Sequence, residues 1–190
     1  SPAAAGASNA PAAASRFLTQ ASFGPTYNEI TRLSAMTYAG WIDEQFAKPQ
    51  ALHRAYLNQV SADLVATGGT VSQTNFFDSY WAQAIAGEDQ LRQRAAFALS
   101  QIFVVSFTDA TLRTQVRGVA SYYDMLGEHA FGNFRDLLEA VTLHPAMGKF
   151  LSMLGNRKND AALNIRPDEN YAREILQLFS IGLNRLNPDG

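Results

Sequence analysis

The sequence contains no cysteine, which removes a disulfide framework, a thiolate metal site and a cysteine nucleophile together. A surplus of charge is missing as well. Fifteen Lys plus Arg stand against seventeen Asp plus Glu, a formal net charge of -2. No basic stripe can neutralise a phosphate backbone, so nucleic acid is not an expected partner. No apolar run approaches the roughly 20 residues that cross a bilayer, and no membrane span is expected. Strict apolar–polar alternation is absent, which argues against any substantial sheet. There is no Gly-rich phosphate loop. Ser100, Ser106, Ser152 and Ser180 lack the glycine flanks of a nucleophile elbow, so a serine hydrolase has no sequence support.

What is present is a chain of 190 residues, 47% of them hydrophobic, enough for one ordinary core or two small ones, one being the simpler expectation. Its first fourteen residues, SPAAAGASNAPAAA, carry neither charge nor a large apolar side chain. Such a segment cannot offset its ordering entropy, so 1–14 are expected to be a disordered leader and 15–190 a single helical domain. Leaders of this composition follow removed signal peptides or lipid anchors, which makes a periplasmic or secreted location the expectation.

From Ser15 onward apolar residues recur in steps of three and four. The fold class expected is all-α, an irregular bundle of about eight to ten helices. Thr26 and Glu29 have capping-box spacing and should start a helix reaching Met36. Pro49 ends the next, near Tyr38 to Ala47. Leu52, Tyr56, Val60 and Leu64 mark a helix stopped before Gly68. Phe76, Phe77, Tyr80, Trp81, Ala84 and Ile85 form an aromatic stripe after Ser72, read as core, with a sugar-binding groove as the functional alternative. Helices follow over Glu88 to Val105, from Leu112 to Leu126, and from Phe134 to His144, before a polar loop at 155–166. Pro167 and Asp168 open a last helix, Glu169 to Leu183, with Tyr171, Ile175, Leu178 and Phe179 inward.

The segment RPDENYAREILQLFSIGL, Arg166 to Leu183, resembles the hallmark of a bacterial family of unknown function, DUF1800, in which Pro-x-Glu-Asn-x-Ala-Arg-Glu begins a helix ending near Leu-Gly. SRFLTQASFGPT, WIDEQF, RQRAAFALSQIFVVS and LHPAMGKFL also resemble that family, in its order. The resemblance implies an exported protein, often encoded beside a sulfatase-like partner, with no common activity. Members are longer, so the resemblance also implies that this chain is an N-terminal portion, on which a C-terminal portion would pack. Some members carry Trp-His-x-His where this chain has Ala98, Leu99, Ser100 and Gln101, so no metal role passes to those positions.

On the last helix Asn170, Arg173, Glu174 and Gln177 fall at i, i+3, i+4 and i+7 and share one face. Glu169 stands four residues before Arg173. The structural reading is helix stabilisation. The functional one makes Glu174 and Glu169 catalytic acid and base, or metal ligands with His144, while Asn170, Arg173 and Gln177 bind. No cofactor is predicted, although that carboxylate–imidazole set suits a divalent metal. Arg92 and Arg94 occupy the unfavourable end of a helix dipole. Each is expected to pair with an acid such as Glu88, Asp89, Glu139 or Glu174, or to bind an anionic ligand. His53 and His129 have no partner spacing and should be solvated or locally satisfied. Two functions compete: a cell-envelope or extracellular binding or scaffold component that holds a partner protein or a polymer, and a metal-dependent hydrolase acting on an extracellular ester or glycan.

Overall fold

Short polar side chains start several of the helices in this chain. In the computed structural model, which describes residues 10–184 and 186–189, the Thr26 hydroxyl accepts the Glu29 N–H at 3.2 Å and opens α2, Tyr27–Ser34. Thr37 does the same for α3, Tyr38–Ala47, through the Gly40 N–H at 3.0 Å. These bonds satisfy donors that have no partner inside their own helix. Before them runs α1, Pro11–Ala21, with proline in the first turn, where its missing N–H costs nothing. The expected leader is therefore too long by four residues. Pro11 to Ala14 are helical and Ala14 is fully buried, because small side chains allow close packing. Residues 1–9 lie outside the described residues.

α4, His53–Val65, has no cap of its own. Its first N–H groups are taken by a carboxylate from another helix: Asp124 accepts from His53 at 2.7 Å and from Arg54 at 3.0 Å. The Ser72 N–H donates to the Asn75 side chain at 2.9 Å and opens α5, Gln73–Ala86. α6 covers Gln90–Ile102 and α7 Val116–Glu128. α6 ends three residues before the expected Val105. Phe103 turns fully inward, and its carbonyl accepts the Tyr122 hydroxyl at 2.9 Å instead of a helical N–H. Asn133 caps α8, Phe134–Leu143. His144 ends α8, as expected, yet it also starts α9, Pro145–Phe150. α10 spans only Asn170–Gln177. Both Ile181 and Gly182, the latter at φ +85, return their N–H groups to the Leu176 carbonyl, so glycine's left-handed conformation closes the helix early. Leu178, expected inside, is exposed. Phe179 reaches the core instead and meets Phe103 at 5.0 Å.

Ten α-helices and no strand occur among the described residues; one isolated bridge pairs Asp160 with Ile165. The fold is all-α. Its apolar side chains form two clusters where one core was expected. The larger is built around Leu57, Phe76, Phe103, Tyr122, Leu126 and Met147. The smaller joins Leu18, Leu33 and Trp41, with Phe17 stacked on Tyr38 at 4.4 Å. Between them, α6 touches α1, α3, α5 and α7. The α5 stripe is only partly core. Phe76 and Ala84 are buried, but Phe77, Trp81 and Ile85 are 47, 57 and 77% exposed. Its apolar arc is wider than the face covered by α4, α6 and α7.

Candidate functional site

The charged residues that meet in space are not those of the last helix. α2 and α3 face the turn between α5 and α6 across a cleft of about 540 Å³. Glu29, Arg32, Glu44, Lys48 and Glu88 line it, and Trp41, itself buried, backs its wall. Helical pitch sets the spacing. Arg32 lies one turn after Glu29, and Lys48 one turn after Glu44, so each pair shares a face.

Arg32 is the centre of the chain of charges. Its Nε and Nη2 donate to both Glu29 oxygens at 3.0 and 2.9 Å, and its Nη1 donates to Glu44 Oε2 at 2.6 Å. Lys48 Nζ lies 3.9 Å from the other Glu44 oxygen and donates to Glu88 at 3.0 Å. The forked Arg32–Glu29 pair is the strong geometry for a guanidinium and a carboxylate. That bond from Arg32 holds the Glu29 carboxyl below the usual range and, reciprocally, raises the Arg32 guanidinium above its own.

Two glutamines fix the far wall. Gln45 donates to the Glu88 carbonyl at 3.2 Å and accepts the Leu91 N–H at 3.1 Å. Gln90 accepts the Phe23 N–H at 3.3 Å, and its amide donates to the Gly87 and Gln83 carbonyls at 2.8 and 3.1 Å. A side-chain amide offers donor and acceptor together on one long side chain. Gly87 is required between them, since a Cβ there would stand 2.5 Å from the Gln83 carbonyl oxygen. None of these long-range roles is visible in sequence. The one available signal was local: the Thr26–Glu29 cap spacing and the Trp-Ile-Asp-Glu-Gln-Phe run.

The residues singled out from sequence lie apart from this cleft's lining. Arg173 pairs with Glu169 at 2.5 Å on an exposed face. Among the described residues, no hydrogen bond or ion pair reaches the side chains of Asn170, Glu174 or Gln177. His144 is spent on its own helix start: Nδ1 accepts the Ala146 N–H at 3.1 Å, Nε2 faces Ser121 Oγ at 3.3 Å, and burial lowers the imidazole's pKa. Among the described residues no group of three His, Asp or Glu could hold a metal ion, so His144, Glu169 and Glu174 are not brought into one donor set. Arg92 and Arg94 depart from the expected pairing with an acid. Arg92 donates to the Gly127 carbonyl at 3.0 Å and lies 4.7 Å from the Phe131 ring centre. Arg94 covers the rings of Phe97 and Phe23 at 5.5 and 5.7 Å. Among the described residues neither forms an ion pair. Flat, weakly hydrated guanidinium groups stack favourably on aromatic faces, although Arg92 Nε is buried without a hydrogen-bond partner among the described residues.

His53 and Ser79 stand 3.0 Å apart, and Asp124 adjoins His53. Yet both His53 and Ser79 are buried, and the carboxylate serves the His53 backbone N–H, not its ring. The trio is a helix cap beside a buried polar contact, closed to substrate.

The profile of a protein family of unknown function, DUF1800, matches residues 16–186. The chain belongs to the DUF1800 family. No curated protein and no solved structure matches it. In this DUF1800 chain no helix among the described residues is long and apolar enough to cross a membrane.

Proposed function

We propose that this chain is a binding module, whose cleft between α2, α3 and the α5–α6 turn takes an uncharged, hydroxyl-rich ligand, the unit of an extracellular polymer. One observation carries the reading: acids and bases alternate along the cleft, each already paired. A free ion would have to break those pairs. Three acids against two bases also disfavour an anion. A polyol, by contrast, donates to the carboxylates and accepts from Arg32 and Lys48 while the pairs persist. The volume lies within the roughly 300 to 1,000 Å³ of small-ligand sites.

By family resemblance we place the protein in the periplasm or outside the cell, residues 11 onward acting as one domain, near a sulfatase-like protein or a polymer. A C-terminal portion packing on this domain belongs to the same proposal. The alternative, a metal-dependent hydrolase using Glu169 and Glu174, rests on the polar stripe of α10 alone and predicts a stoichiometric metal on elemental analysis. Calorimetric titration with uncharged oligosaccharides tests the binding reading. Wild type should bind, and Glu44→Gln and Lys48→Met should weaken affinity by about tenfold, the worth of one charge-assisted hydrogen bond. Equal affinity in wild type and both variants would remove the cleft from the account.

A further inference from the structure

A single helix face joins the cleft to a second hollow. The second, of about 340 Å³, is lined by Phe76, Phe77, Phe107 and Tyr123 with the polar groups of Gln73, Ser106 and Thr108. Ile85 lines the first hollow and Phe77 lines the second. Trp81 lies between them at the same four-residue step, exposed, its ring edge to face with Tyr80 at 5.3 Å. At about 1.5 Å of rise per residue, the path from Phe77 to Ile85 is roughly 12 Å long.

We infer that the Phe77–Trp81–Ile85 ridge of α5 is the track of a linear, uncharged polysaccharide strand, which runs from the charged cleft across Trp81 into the aromatic hollow. The inference rests on the binding reading of the cleft and adds the polymeric nature of the ligand. A sugar ring has an apolar face of C–H groups and a rim of hydroxyls. The ridge offers an exposed aromatic face for the first, and the hollow at each end offers hydrogen-bonding groups for the second. Other occupants fit less well. An anionic membrane surface needs basic residues, whereas the cleft holds more acids than bases. A protein partner needs a broad apolar patch, and this strip is one helix face wide, with Asp78 exposed beside it.

The test compares wild type with Trp81→Ala and Phe77→Ala. Each is titrated with glucose and N-acetylglucosamine oligomers from monomer to hexamer, and fold is checked by circular dichroism and melting. Wild-type affinity should rise with chain length. The ratio of hexamer to monomer affinity should fall by about three- to tenfold in Trp81→Ala, the worth of one aromatic stacking contact. A ratio of one in wild type, or an unchanged ratio in Trp81→Ala, overturns the track and leaves the cleft reading standing. Failure of every oligomer to bind wild type overturns both. A concentration-dependent dimer in sedimentation that Trp81→Ala abolishes overturns the track too, because the ridge would then be a surface between copies.

Discussion

His53 shows how far one residue's surroundings depart from its sequence context. Nothing near it in the chain marks it as special, yet it is buried among Phe76, Tyr80 and Tyr123, and burial lowers its pKa to about 4. The unfolded chain takes up a proton near pH 6.5, where the folded one does not. Stability from this site is therefore intact above pH 6.5 and falls as pH drops towards 4, by roughly 3 kcal/mol over the window. Urea unfolding of wild type and His53→Gln across pH 4 to 7 should converge in acid, and a constant gap would contradict the buried neutral imidazole. Asp124 has the opposite sign. Burial raises its carboxyl pKa above the usual value despite two N–H donors, so its contribution is largest in acid and is lost as pH rises through the raised value. Gly127 is constrained by shape, since a Cβ there would stand 2.3 Å from Gln50 Nε2, an atom already donating to the Asp124 carbonyl at 2.7 Å. Gly127→Ala should lower stability by about 1 to 3 kcal/mol in thermal melts, the usual cost of overpacking.

At the scale of elements, local signals read well and long-range ones did not. The Thr26 cap, the Pro49 stop and the His144–Pro145 break were legible because each is set by residues within one turn. The ends of α6 and α10 were not: one depends on Tyr122 reaching the Phe103 carbonyl, the other on the turn closed by Gly182. The α5 periodicity identified the helix but could not tell how much of its wide apolar arc would find a neighbour. On α10 the Glu169–Arg173 pair lies on an exposed face, and its worth follows from that exposure. Arg173→Ala removes an exposed i,i+4 pair and should cost only about 0.3 to 0.5 kcal/mol. Gln90→Leu, by contrast, strips the α5–α6 turn of its shared partner and strands the Phe23 N–H and the Gly87 carbonyl. A loss of about 1 to 3 kcal/mol is expected for Gln90→Leu in urea unfolding. Equal effects from the two substitutions would contradict the contrast between them.

Across the whole molecule, sequence reading looked for chemistry where titratable residues are dense in the chain, at the carboxyl-terminal helix. Folding gathers them elsewhere: Glu29 and Arg32 from one helix, Glu44 and Lys48 from the next, and Glu88 from a turn forty residues beyond Lys48. No local period reports that meeting. The smaller hydrophobic cluster explains its position, since it joins α2 and α3 and takes Leu91, just after the α5–α6 turn, against its edge. The most direct measurement is a map of backbone amide shifts in the isotope-labelled protein during titration with an uncharged hexasaccharide. Shifts concentrated at Glu29, Arg32, Glu44, Glu88 and Gln90 are predicted. Shifts confined to Asn170 through Gln177, with the cleft unmoved, would contradict it.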